Sequence, residues 1–127
     1  MTELVAKRCK QLGYKKVGLL GSPVTLRSGL YTKELSKKNI KLILPIETQR
    51  KVVDRIIRYV LAGESNEADK EAYIEIITDL ISRGAEGVIL GCTELPLAIN
   101  YEALGSKVIS SMEVLAGALV DYYYSSK

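Results

Sequence analysis

The chain has 127 residues, 47% of them apolar and 26% charged, with eight Tyr and neither Phe nor Trp. That profile suits one compact domain with an aliphatic core and excludes a disordered chain. The net charge is +3, and the basic residues (Lys7, Arg8, Lys10, Lys15, Lys16, Lys37, Lys38, Arg50, Arg55, Arg58) are scattered, which reads as solvated surface and argues against a nucleic-acid partner.

Residues 2 to 12 place Val5, Cys9 and Leu12 on one helical face, with Gly13 as the stop. Lys16 to Gly21 is a short apolar run suited to a strand buried on both faces, and Gly21-Ser22-Pro23 turns the chain after it. A helix is expected from Thr25 to Lys38 with Leu26, Leu30 and Leu35 inward, ended by Asn39 before a second strand, Ile40 to Leu44. Glu47 to Leu61 carries Val53, Ile56, Ile57, Val60 and Leu61 at helical spacing, and Glu67 to Arg83 repeats the pattern with Tyr73, Ile76, Ile77, Leu80 and Ile81. Gly87 to Gly91 reads as a third strand, followed by a short helix. Lys107 to Ile109 reads as a fourth strand and Met112 to Tyr124 as a final helix. The alternation predicts an α/β fold, a three-layer domain with a mainly parallel four-stranded sheet.

The two cysteines are far apart in a chain without His, so the residue types do not suit a metal site. No recognisable secretory leader points to a reduced, cytoplasmic compartment. No run reaches the roughly 20 apolar residues of a membrane span, so no membrane partner is expected.

The stretch Val88-Ile89-Leu90-Gly91-Cys92-Thr93-Glu94-Leu95-Pro96 holds the most chemistry. Ligands of open parallel sheets bind beyond the carboxyl ends of the strands, where Cys92 falls. Gly91 permits a sharp turn and Pro96 suits the first turn of a helix, so Cys92 and Thr93 lie near a helix amino terminus, which lowers a thiol's pKa and attracts carboxylates. Composition and placement alone equally fit a small buried residue at the end of an apolar strand. Thr25, after the first strand, fits either a substrate-binding hydroxyl or the N-cap of the next helix.

The segment Gly91-Cys92-Thr93-Glu94, preceded by Arg83-Gly84-Ala85-Glu86-Gly87, resembles the second cysteine motif of the aspartate/glutamate racemases. The resemblance continues upstream through Lys15-Lys16-Val17-Gly18-Leu19-Leu20 and Thr25-Leu26-Arg27-Ser28-Gly29-Leu30-Tyr31. It covers nearly the whole chain, read as one domain similar to the carboxyl-terminal lobe of such an enzyme. Glutamate racemases usually have His after the Cys-Thr pair, so Glu94 points to the aspartate branch.

The resemblance implies an isomerase that needs no cofactor. One cysteine thiolate removes the α-proton and a second returns one on the opposite face. Cys92 is then a catalytic acid/base, and Thr93, Thr25, Ser22 and Glu94 are substrate-binding candidates for a small amino acid, aspartate or glutamate. Family members are about twice as long, and the half that carries the other cysteine has no counterpart here. Cys9 is a poor substitute, since its helix feeds the start of the first strand.

A missing first lobe or a homodimer mate is the expected source of the second base, and residues 107–127 are the strand and helix expected to pack on that first lobe. The final strand, which in the family runs into an aspartate, here meets Ser110-Ser111. Leu61 stands where some aspartate racemases carry a lysine. Competing readings are a hydantoin racemase, a maleate isomerase or a decarboxylase of the same superfamily. From a different class comes an inactive lobe that binds dicarboxylates or a partner subunit.

Overall fold

The computed structural model of the protein describes residues 2–64, 67–91 and 108–125. They form α1 (Thr2–Gln11), β1 (Lys16–Leu20), α2 (Pro23–Arg27), α3 (Leu30–Ser36), β2 (Lys41–Ile43), α4 (Glu47–Leu61), α5 (Glu67–Ser82), β3 (Gly87–Leu90), β4 (Val108–Ser110) and α6 (Ser111–Ser125). The short helix expected after Cys92 falls outside the described residues.

The four strands pair in parallel in the order β2-β1-β3-β4. Leu20 stands opposite Leu90, and Leu90 opposite Ser110, so three strands end level with one another. Because successive side chains on a strand point to opposite faces, the apolar runs feed two cores. Leu20, Val88, Leu90 and Val108 pack with Val53, Ile56, Tyr73, Ile77 and Leu80 of α4 and α5. Val17, Leu19, Ile89 and Ile109 pack with Val5 and Cys9 of α1 and Tyr31 and Leu35 of α3. This is the expected three-layer α/β domain.

The single helix expected from Thr25 to Lys38 is instead two. Gly29 adopts φ 72°, a left-handed conformation that side chains disfavour, and the chain re-enters a helix at Leu30 on a new axis. Tyr31 and Leu35 turn inward as a result, while Leu30 is 54% exposed. Leu12 and Leu61, both read as facing inward, are also exposed. Leu12 follows the last residue of α1, and Leu61 ends α4 beyond the stretch of Val53, Ile56 and Ile57 that reaches the core.

α4 and α5 form an antiparallel pair tied at both ends. Near one end Gln49 Nε2 donates to Asp79 Oδ2 at 2.9 Å, and near the other Arg55 Nη2 donates to Asp69 Oδ1 at 2.6 Å. The Gln49 Oε1 accepts the Ile46 N–H at 3.0 Å, closing the first turn of α4.

α6 begins on this sheet and then leaves it. Val114 packs against the core under α1, whereas Leu119, Val120, Tyr122 and Tyr123 are exposed. Between α1 and α6 lies a cleft of about 460 Å³ walled by Leu4, Arg8, Gln11, Val114 and Asp121.

The Asp69 carboxylate is buried and meets an arginine that is half exposed, which offsets part of its desolvation. Arg55→Ala is expected to destabilise the fold by about 1–2 kcal/mol, less than a fully buried pair because the guanidinium reaches water. Urea unfolding of the two proteins measures the difference.

Candidate active site

From β1 the chain crosses to β2 on one side and returns to β3 on the other. The crossovers diverge at this point, and an open parallel sheet forms a crevice at the carboxyl ends of the two strands flanking such a reversal. Here those ends are Gly21-Ser22 after β1 and Gly91 after β3, joined by a 2.8 Å hydrogen bond from the Gly91 N–H to the Leu20 carbonyl.

Ser22 is the N-cap of α2, in extended geometry (φ −67°, ψ 163°), and Pro23 fills the first helical position. Its Oγ accepts the Thr25 N–H at 3.3 Å and lies 3.1 Å from Thr25 Oγ1. The capping role considered for Thr25 therefore belongs to Ser22, and the Thr25 hydroxyl is left for other work. Two hydroxyls that share one hydrogen bond retain a second O–H proton, which can be donated to a carboxylate oxygen.

Thr25 is fixed by two glycines. A Cβ on Gly21 would lie 3.0 Å from Thr25 Cγ2. One on Gly91 would lie 3.3 Å from that methyl, 3.1 Å from Leu19 Cδ1 and 3.1 Å from the Leu20 carbonyl oxygen. Both strands thus end in glycine because α2 seats its threonine methyl directly on the backbone. The structure brings Ser22 and Thr25 together beside Gly91. Cys92, Thr93 and Glu94 follow Gly91 in sequence and lie outside the described residues.

Ser110 ends β4, the next strand over, and Ser111 opens α6, with relative exposures of 3% and 1%. Ser110 Oγ accepts the Glu113 N–H at 3.4 Å and so caps α6. Sequence reasoning noted these serines only as a departure from an aspartate. Their signal was a pair of hydroxyl residues directly after a buried strand.

Cys9 lies in the core between α1 and the sheet, on a helix that runs into the amino end of β1. Burial pushes its thiol up to about 11, against a partial opposing effect of Arg8, so it stays protonated at neutral pH. Burial also raises Tyr14, with smaller contributions from Cys9 and Glu86. Glu86, in the lead-in to β3, serves the same end of the sheet as Tyr14. Its Oε1 accepts the N–H groups of Lys15 and Lys16 at 2.8 and 3.2 Å, a clamp between β1 and β3 at the end away from Gly91.

Among the described residues no group of three His, Cys, Asp or Glu is disposed to hold a metal ion. No described helix is long and apolar enough to cross a membrane.

Residues 1–119 match the Asp/Glu/Hydantoin racemase family. The chain belongs to this family. Its fold is similar to that of a Yersinia pestis protein assigned to the Asp/Glu racemases, with 35% identity and a TM-score of 0.87 over 95% of this chain and 54% of that one. It is similar also to an aspartate racemase homologue from Pyrococcus horikoshii OT3, with 32% identity and a TM-score of 0.81 over 95% of this chain and 54% of the other. In sequence it is 33% identical over 106 residues to the glutamate racemase of Limosilactobacillus reuteri (strain DSM 20016), covering 81% of this chain and 38% of that enzyme. The chain thus spans about half of the two solved relatives and less of the glutamate racemase.

Gly91→Ala should destabilise the fold by about 1–3 kcal/mol, because the Leu20 carbonyl that a Cβ would meet is held by its own hydrogen bond and cannot yield. Thermal unfolding of the variant checks this. The raised Cys9 pKa, about 11 against 9.0, means that the unfolded chain releases its proton first. The stability contributed by the neutral buried thiol is therefore complete below pH 9 and is lost as the pH rises through 11. Denaturant titrations at alkaline pH should show a shallower decline for Cys9→Ala.

Proposed function

We propose that this chain is one lobe of a cofactor-independent racemase acting on a small acidic amino acid, aspartate or glutamate. The observation that supports it most is the Ser22–Thr25 hydroxyl pair, whose threonine methyl sits against Gly91 at the carboxyl ends of β1 and β3, one residue before Cys92 in sequence. In this reading the Cys92 sulfur, as thiolate, takes the α-proton and leaves the electron pair on Cα. Thr25, Ser22 and Thr93 donate hydrogen bonds to substrate carboxylate oxygens, and Glu94 offers a carboxylate to the α-ammonium group.

Inversion needs a proton donor on the opposite face of the carbanion. Cys9, buried and with its thiol raised to about 11, is unsuited to that task. The second acid comes from another lobe, carried on a longer chain, a separate chain or a second copy. Residues 107–127 are the segment through which the two lobes meet, consistent with the exposed apolar residues on the far half of α6. A reduced cytoplasmic compartment suits a thiol that has to remain free.

Incubation with L-aspartate or L-glutamate in deuterated water, followed by NMR and chiral chromatography, tests this. Exchange at Cα is expected, and it should vanish in Cys92→Ser and survive in Cys9→Ala. D-amino acid should form only when the second acid is present. Thr25→Val keeps the methyl on Gly91 but removes the hydroxyl, and should lower kcat/KM of the completed enzyme roughly tenfold, the worth of one hydrogen bond of about 1.4 kcal/mol. Substrate binding without exchange would leave the chain as a dicarboxylate-binding lobe.

A further inference from the structure

The first 41 residues contain ten Lys or Arg and two acidic residues, while the remaining 86 contain eight and thirteen. The fold converts this imbalance along the chain into an imbalance in space. α1 and α3 both end where β1 and β2 begin, as the hydrogen bonds Tyr14 N–H to Cys9 O (3.1 Å), Ile40 N–H to Leu35 O (3.0 Å) and Lys41 N–H to Lys15 O (2.8 Å) record. Lys10, Lys37 and Lys38 from the helix ends therefore gather with Lys15, Lys16 and Lys41 from the strand starts, and Lys16 and Lys41 are register partners.

Six lysines, five of them among the basic residues that read as scattered in sequence, thus share one end of the sheet, while Arg50, Arg55 and Arg58 lie on α4. Lys10 and Lys37 also complement the carbonyl ends of their helices, and the Lys16 chain reaches Gly84 just past the end of α5, whereas Lys15 and Lys41 have no helix end to serve. Two carboxylates lie among them. Glu34 is paired with Lys37 at 3.2 Å, and Glu86 is turned onto the backbone of Lys15 and Lys16.

The opposite charge is displayed on α5, where Glu67, Glu71 and Glu75 recur every fourth residue and are exposed, Glu67 being paired with Lys70 at 3.4 Å. The cations of the adjoining α4 are engaged elsewhere, Lys51 with Glu47, Arg55 with Asp69, Arg58 with Asp54 and Arg50 with the Pro45 carbonyl. Glu71 and Glu75 enter no ion pair among the described residues. Glu75 also walls a shallow groove of about 370 Å³ between α4 and α5, bordered by Val52, Ala72 and Gln49. Its mixed lining suits a lysine, with an apolar stem and a cationic tip.

We propose that the lysine-rich end of one molecule docks on the acidic α5 stripe of a second copy. The two surfaces differ, so the contact is head-to-tail and leaves a free surface of each kind at the ends of every assembly. Exposed charges act over about 30 Å at ~0.01 M salt and only about 3 Å at ~1 M, so the association is confined to low ionic strength.

Sedimentation velocity of the whole chain over a range of concentrations tests this. The weight-average sedimentation coefficient should rise with concentration at about 0.01 M salt and fall to the monomer value near 1 M. A K15E/K16E/K41E variant and an E67K/E71K/E75K variant, each verified as folded by circular dichroism, should be monomeric alone. Mixed in equal amounts, they should associate again. Wild-type protein that stays monomeric at low salt would overturn the proposal without any variant. So would undiminished association of either variant alone, or a mixture of the folded variants that remains monomeric.

Discussion

β1 has to be covered on both faces and paired on both edges, and that demand organises the rest of the molecule. Val17 and Leu19 face α1 and α3, Leu20 faces α4 and α5, and the strand lies between β2 and β3. A chain can meet all four requirements only by crossing one face to reach β2 and the other to reach β3. The reversal that results opens the sheet at the carboxyl ends of β1 and β3. The crevice is a by-product of burying a five-residue strand, and the hydroxyls of Ser22 and Thr25 stand at it because they occupy the first turn after that strand.

Much of this was legible in the chain itself. The apolar runs at Lys16, Ile40, Gly87 and Lys107 were too short and too uniformly apolar for amphipathic helices, and each became a parallel strand. Glu47 to Leu61 was read to its exact bounds because a 15-residue amphipathic pattern tolerates little shift. What periodicity could not reveal was the break at Gly29. Leu26, Leu30 and Leu35 fit a single helical face almost as well as the two faces of α2 and α3, and only a left-handed glycine separates the two solutions. Leu12 and Leu61 were misassigned for a related reason, since spacing identifies a face but not the point at which that face runs past its support.

The candidate site was legible to a different degree. Thr25 was left between a substrate hydroxyl and an N-cap, and Ser22 was named only as a substrate-binding candidate, because the helix was expected to start at Thr25 rather than at Pro23. The extended backbone at Ser22 decides it. The gathering of residues 10, 15, 38 and 41 was not legible for a topological reason, as they become neighbours only when two helices end at one edge of a sheet. Ser110 and Ser111 gained meaning from register, which sets Ser110 level with Leu90.

The seating of Thr25 on Gly21 and Gly91 has a consequence for how the protein can vary. Positions 21 and 25 share one small volume, so a larger residue at 21 demands a smaller one at 25. Position 91 is held more tightly, because the Leu20 carbonyl stands in the way whatever occupies 25. An engineer reshaping this edge of the sheet should vary 21 and 25 together and leave 91 as glycine.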